Sequence, residues 1–281
     1  LMIKNLILSS GGVNGFFFVG GLRYLVENNL LDNLENLFGT SAGSVFGFLY
    51  LLGFTIDEIE ELVTKMTPDY LLNITGESVL RFLEDYGIDT GEKFEKIIKI
   101  VSNRKLNKPN ITFKELYELT NITFTISVLN LNKGKLVYLS HLNYPDLEIY
   151  KAIRMSTSIP ILFKPVLFEN EYHLDGGVVD PCSLNYFKNS RETLALMINT
   201  QQIKNIENIK DFLITLFCCP IKKVAEEYFD KPNIIIYNGE DSEGLNFDIK
   251  SEKITELIKK GYEITKDEIG DILDFFKRKP H

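Results

Sequence analysis

Apolar and polar positions follow two different rhythms along this chain, and the rhythms predict its elements. Ile3 to Leu8 is a short, nearly continuous apolar run and reads as a buried strand. Gly11 to Gly15 follows as a glycine loop, after which Phe18, Leu22, Leu25 and Val26 recur at helical spacing. The pattern repeats at once: Leu34 to Phe38 reads as a strand, Gly39 to Gly43 as a tight turn, and Ser44 to Leu52 as a helix closed by Gly53. Two successive strand, loop, helix units predict an α/β sheet.

Farther along, Ile122, Phe124, Ile126 and Val128 alternate with Thr123, Thr125 and Ser127, and Asn132-Lys133-Gly134 turns the chain toward Leu136 to Leu139, which predicts a hairpin. Leu162 to Phe168 and Tyr172 to Leu174, separated by Glu169-Asn170, predict a second hairpin that ends just before Asp175. Leu194 to Ile198 and Ile234 to Tyr237 supply two more strands, and Ile269, Ile272, Leu273 and Phe276 fit a closing amphipathic helix. No repeat, low-complexity tract or Pro/Gly/Ser linker marks a boundary, so a single domain over 1–281 is expected, with a C-terminal helical segment from about residue 247.

Composition narrows the classes. At 281 residues and 44% apolar content, the chain buries most of what its unfolded form exposes, roughly 75% at this size. Acidic side chains outnumber basic ones, 39 to 31, which argues against a nucleic-acid partner. Three cysteines, with Cys218 and Cys219 adjacent, suit a reducing compartment. The run Leu6-Ile7-Leu8 ends at once in Ser9-Ser10-Gly11-Gly12, unlike a secretory signal, so a cytoplasmic location is expected. The uncharged stretch Asn36 to Ile56 is long enough to span a bilayer, roughly 20 residues. Only Val45 to Leu52 within it is solidly apolar, so a buried helix explains it better.

One segment has two readings. Phe94, Ile97, Ile98 and Val101 form a helical stripe flanked by Lys93, Lys96 and Lys99, with Arg104, Lys105 and Lys108 following. Either the stripe packs on the core and the lysines are solvated, or the helix makes peripheral contact with an anionic membrane surface.

The sharpest chemical signal is Gly39-Thr40-Ser41-Ala42-Gly43, a G-x-S-x-G between a predicted strand and a predicted helix, the context of a nucleophile elbow. Gly39 and Gly43 flank the serine because a Cβ at either would collide with neighbouring backbone, and the helix N-terminus favours developing negative charge. Asp175, in Leu174-Asp175-Gly176-Gly177, reads either as an acid at a strand end or as an ordinary Asp-Gly turn. Ser10 to Gly15 opens a helix after the first strand and can converge its amides on an anion. As a dinucleotide fingerprint it lacks glycine at Ser10, although Asp32 lies roughly where a ribose-binding acid would; beside an elbow serine the same loop serves as an oxyanion hole.

The three histidines fit a Ser-His-Asp triad poorly. His141 and His173 precede Asp175 in the chain, and His281 is the last residue of a charged tail. No H-E-x-x-H, paired C-x-x-C or EF-hand loop is present, so no metal is expected.

Four segments in order, Ser10 to Gly15, Gly39 to Gly43, Ser156-Thr157-Ser158-Ile159-Pro160 with Phe163 and Pro165, and Asp175-Gly176-Gly177, resemble the patatin-like phospholipases. Phe247 to Gly261 looks like the closing segment of that family. The resemblance implies a three-layer α/β/α sandwich with a mainly parallel central sheet. It implies a Ser41–Asp175 dyad that needs no histidine, with the amides of Gly11, Gly12 and Val13 as the oxyanion hole. The implied activity is hydrolysis of acyl esters in phospholipids or related lipids, phospholipase A-type, without cofactor. The alternatives are a lysophospholipase, an acyl thioesterase, or a lipid- or nucleotide-binding module that no longer turns over. Two positions depart from the family loop: Ser10 replaces a glycine and Asn14 a basic residue, removing a charge expected near the oxyanion or a lipid phosphate.

Overall fold

The structure, a computed structural model, describes residues 3–65, 72, 76, 80, 82–200, 206–207, 209–239 and 249–278. Its frame is an eight-stranded sheet. Five strands are mutually parallel, in the order β10 (Ile234–Asn238), β9 (Thr193–Asn199), β1 (Asn5–Leu8), β2 (Asn36–Thr40) and β4 (Thr123–Asn130). All four residues of β1 are buried, as expected of a central parallel strand covered on both faces. A separate two-stranded pair joins β3 (Gly87–Asp89) to β6 (Ile161–Phe163).

The mixed end of the sheet positions the site. Strand β5 (Lys135–Leu139) runs antiparallel along one edge of β4, from Ile126 to Asn130. The other edge is shared: β2 occupies it up to the pair Thr40↔Ser127, and β8 (Glu171–Asp175) takes over at Val128↔Asp175, running the opposite way. The ends of β2 and β8 therefore meet head to head at consecutive positions of β4. Strand β7 (Val166–Phe168) then pairs with β8.

Helices cover both faces. On one, α1 (Phe16–Glu27), α2 (Ala42–Leu51) and α8 (Ser251–Lys277) pack with α3 (Ile56–Thr64) and α4 (Glu92–Leu106) over a core that includes Leu6, Leu8, Phe18, Leu22 and Ile258. The two long helices touch through glycine: a Cβ on Gly20 would lie 1.8 Å from the carbonyl of Ile258, and one on Gly261 would lie 2.2 Å from that of Phe17. On the opposite face, Ile7, Phe38, Ala195 and Met197 pack against Cys182, Leu184 and the end of α7 (Ile209–Glu226) at Ala225. Two further helices are α5 (Phe113–Thr120) and α6 (Ile149–Ser156). This is the α/β/α sandwich with a mainly parallel sheet.

The predicted strands and helices recur with small shifts at their ends, and Asn36 to Ile56 divides into β2 and the buried α2. One pairing differs. The expected hairpin from Leu162 is split at Pro165, which has no amide to donate, so β6 pairs with β3 and only β7 with β8. The closing helix begins at Ser251, while Phe247 and His281 lie outside the described residues. Among the described residues no helix is long and apolar enough to cross a membrane.

Candidate active site

Ser41 sits between the end of β2 and the first turn of α2 with φ 51° and ψ −120°, a conformation in which a residue bearing a Cβ is strained. The local sequence accommodates it by omitting side chains where backbones converge. A Cβ on Gly43 would lie 2.0 Å from the Leu8 carbonyl oxygen, and one on Gly39 would lie 2.6 Å from the Ser44 Cα. The Ser44 hydroxyl donates to the Ser41 carbonyl at 2.6 Å, closing the turn.

Asp175 reaches the same point from β8. Because its strand ends one register step beyond Thr40 on the shared edge of β4, the carboxyl lies beside Ser41, whose side chain favours its charged form. The Gly177 amide donates to Asp175 Oδ1 at 2.8 Å. Both residues are buried, Ser41 at 3% exposure and Asp175 at 5%. Burial raises the Asp175 carboxyl to about 7, with the neighbouring Ser41 side chain and the Gly177 amide opposing that rise.

The glycine loop supplies the third side. Gly12 to Gly15 forms a 3-10 turn running into α1, and the first amides of such a turn have no carbonyl of their own turn to donate to. Gly12 takes φ +56°, and Gly12 and Val13 line the same cleft as Ser41. A Cβ on the preceding Gly11 would lie 2.4 Å from Ile198 Cδ1. The dinucleotide reading fails on placement: Asp32 follows α1 and precedes β2, at the opposite end of the sheet from the glycine loop.

The two departures in that loop also find their places. Ser10 faces the DGG turn, where a Cβ on Gly177 would stand 2.7 Å from its Oγ. Asn14 does not line the cleft. It is 2% exposed, its side chain lies against Gly239, and its Nδ2 has no hydrogen-bond partner among the described residues. A basic group at this position would start from a buried site against Gly239 that is not part of the cleft lining.

Below Ser41 opens an apolar cleft of about 950 Å³, part of it open to solvent. Val45, Phe46 and Leu49 of α2 form one wall, and Phe94, Ile97, Ile98 and Val101 of α4 form another. The stripe thus lines the cleft, with Ile98 and Val101 also buried in the core. Lys93, Lys99 and Lys105 are engaged with the Leu72 carbonyl, Glu95 and Glu58 respectively.

The segment Ser156-Thr157-Ser158, which the sequence marks only by resemblance and gives no role, holds both candidate residues. The Ser41 amide donates to Ser156 Oγ at 2.9 Å, and Ser156 Oγ donates to the Ser127 carbonyl at 2.8 Å. Two residues on, the Ser158 carbonyl accepts the Asp175 amide at 3.1 Å. Ser158 Oγ is in turn 2.6 Å from Nη1 of the buried Arg154, whose Nη2 donates to the carbonyls of Thr90 and Lys164. The sequence signal for this segment was its place among the four that carry the family resemblance.

Histidine stands apart from this arrangement. His173 is held by the Glu171 carbonyl at 3.0 Å and by Asn130, and burial lowers its pKa; His141 stacks on Tyr117 with ring centroids 3.9 Å apart. Among the described residues no cluster of three or more His, Cys, Asp or Glu could hold a metal ion.

The family model of patatin-like phospholipases matches residues 6–188. Uncharacterized protein R571 of Acanthamoeba polyphaga mimivirus is 28% identical over 97% of this chain and 95% of its own length. The probable lipid hydrolase 463L of Invertebrate iridescent virus 6 is 27% identical over 90% of this chain and 84% of its own. Among solved structures, VipD from Legionella pneumophila superposes with a TM-score of 0.67 at 19% identity, over 98% of this chain and 67% of that one. The type III effector ExoU gives 0.56 at 15%, with 98% of this chain and 53% of that one covered. At these identities the two structures share the fold.

Proposed function

The chain belongs to the patatin-like phospholipase family and is a serine ester hydrolase, and from that premise we propose that it cleaves long-chain carboxylic esters of phospholipids, phospholipase A-type, through a Ser41–Asp175 dyad. The observation that carries the reading is the buried pair Ser41 and Asp175, brought together at the shared edge of β4 with Ser41 lining an apolar cleft. The acyl chain lies between α2 and α4, which sets its ester carbonyl over Ser41.

Ser41 Oγ attacks the carbonyl carbon as its proton passes to Asp175. The charge that develops on the carbonyl oxygen is met by the amides of Gly11, Gly12 and Val13. The ester C–O bond breaks, Asp175 returns the proton to the departing alkoxide, and the acyl group stays on Ser41. Water then attacks the acyl-enzyme while Asp175 takes its proton, releasing the fatty acid and restoring the serine. A carboxyl raised to about 7 is a far better base for this than an ordinary aspartate.

Reaction of the intact protein with a fluorophosphonate, followed by mass measurement and peptide mapping, tests the assignment. One adduct, on Ser41 and absent from Ser41→Ala, is expected. Labelling on another serine overturns the dyad.

A further inference from the structure

The apolar stripe of α4 lines the cleft, whereas apolar side chains of α7 are exposed. Residues 212–221 read Phe-Leu-Ile-Thr-Leu-Phe-Cys-Cys-Pro-Ile, ten positions without a charge, bounded by Lys210-Asp211 and Lys222-Lys223. Phe212 and Leu216 are 48% and 55% exposed, and Cys219 and Pro220 are exposed with them. The spacing 212, 216, 219, 220 puts all four on one side of the helix. A soluble surface of this kind marks a contact face.

Its position gives the face a use. Helix α7 follows β9, which is parallel to β1 and β2, so its first half begins at the sheet edge where the glycine loop and Ser41 lie. The helix packs against Gly176–Val178, the turn that immediately follows Asp175, and Val179 beside that turn is 43% exposed. Lys222 and Lys223 are exposed at the end of the uncharged run, two adjacent positive groups on a chain of net charge −8.

We propose that the exposed face of α7 docks the protein on an anionic phospholipid surface beside the active-site rim. Phe212 and Leu216 enter the boundary between headgroups and acyl chains, while Lys222 and Lys223 meet the phosphates. The helix lies on the membrane and does not span it. The proposal rests on the lipid substrate argued above: with Ser41 and Asp175 buried, an acyl chain has to leave the bilayer to reach them, and a docking face at the same rim shortens that path.

Sedimentation with phosphatidylcholine vesicles, with and without phosphatidylserine, tests it on the full chain. Phe212→Glu/Leu216→Glu should lower binding to the mixed vesicles about tenfold or more, and Lys222→Glu/Lys223→Glu should remove the preference for phosphatidylserine. Leu142→Glu/Leu167→Glu, at exposed leucines away from α7, should bind as the wild type does. The rate of Ser41 labelling by a monomeric fluorophosphonate should stay unchanged in all three variants, which separates docking from chemistry. Absence of labelling in the wild type overturns the dyad and leaves the binding comparison standing. Equal vesicle binding by wild type and Phe212→Glu/Leu216→Glu overturns the docking face. So does a wild type that is dimeric in solution and becomes monomeric in that variant, since a second copy would then be the occupant.

Discussion

The hydroxyl of Ser156 accepts a hydrogen bond from the Ser41 amide at 2.9 Å and donates one to the Ser127 carbonyl at 2.8 Å. It thereby ties the strained elbow residue to β4, the strand on which Asp175 is registered one position later. Ser156→Ala leaves both buried backbone groups without that partner, at about 1–3 kcal/mol in stability. Turnover should fall roughly tenfold with KM little changed, because the elbow loses its alignment while the cleft is untouched. Steady-state kinetics beside thermal melting checks this; a KM change without a kcat change speaks against the positioning role.

Arg154 anchors the other half of the same segment. Burial lowers its pKa to about 10, with Asp89 and Glu95 opposing, and its guanidinium serves the Ser158 hydroxyl and two carbonyls at once. Lysine cannot reproduce that fork. Arg154→Lys should therefore lower the melting temperature markedly and reduce hydrolysis by about tenfold or more, since Ser158 holds the Asp175 amide. An Arg154→Lys protein with wild-type melting and rate would remove Arg154 from the positioning network.

What was legible in the sequence was local. The strand, glycine loop and helix at Ile3 to Val26, and the elbow at Gly39 to Gly43, are readable because each is specified by neighbours within a few residues. The bond from Ser41 to Ser156 spans 115 positions, and nothing local announces it. The α4 stripe shows the limit from another side: Phe94, Ile97, Ile98 and Val101 have the same period whether they meet core, membrane or substrate, and only packing decides. Asn14 is similar, since its place in the loop is readable but its direction, toward Gly239, is not.

Chain-length selectivity follows from the cleft. Leu49 lies two helical turns along α2 from Ser41, roughly 12 Å by helical rise, and lines the wall there. Leu49→Trp should obstruct the distal part of the cleft while leaving room near the serine. Long-chain p-nitrophenyl esters should lose about tenfold or more in kcat/KM and butyrate esters much less. Equal losses on both would place the acyl chain elsewhere.

Asn14→Arg is expected to be harmful. The side chain is 2% exposed and packed on Gly239, so a guanidinium there is buried without a built partner among the described residues. Lower melting temperature and no gain in phospholipid turnover are expected. Faster turnover on phosphate-bearing lipids than on neutral esters would mean that the arginine reaches the cleft.

The most demanding test lies in the pH dependence of Asp175. Its carboxyl rises from 3.8 to about 7 in the folded chain, first because burial disfavours the charged form. Below about pH 4 both folded and unfolded chains hold the proton; between there and about pH 7 the unfolded chain releases it and the folded chain keeps it. The group's contribution to stability is therefore full at low pH and is lost as pH rises through 7, by about 4 kcal/mol at most. Asp175→Asn cannot ionise, so it should melt close to the wild type near pH 4 and above it at pH 8. The same substitution should abolish ester hydrolysis, while wild-type kcat/KM should climb with pH to a plateau above about 7. Melting curves and rates across one buffer series measure both. A rate profile with its midpoint near 4, or an Asp175→Asn protein that gains no stability over the wild type as pH rises, would show that this carboxyl is not the buried base.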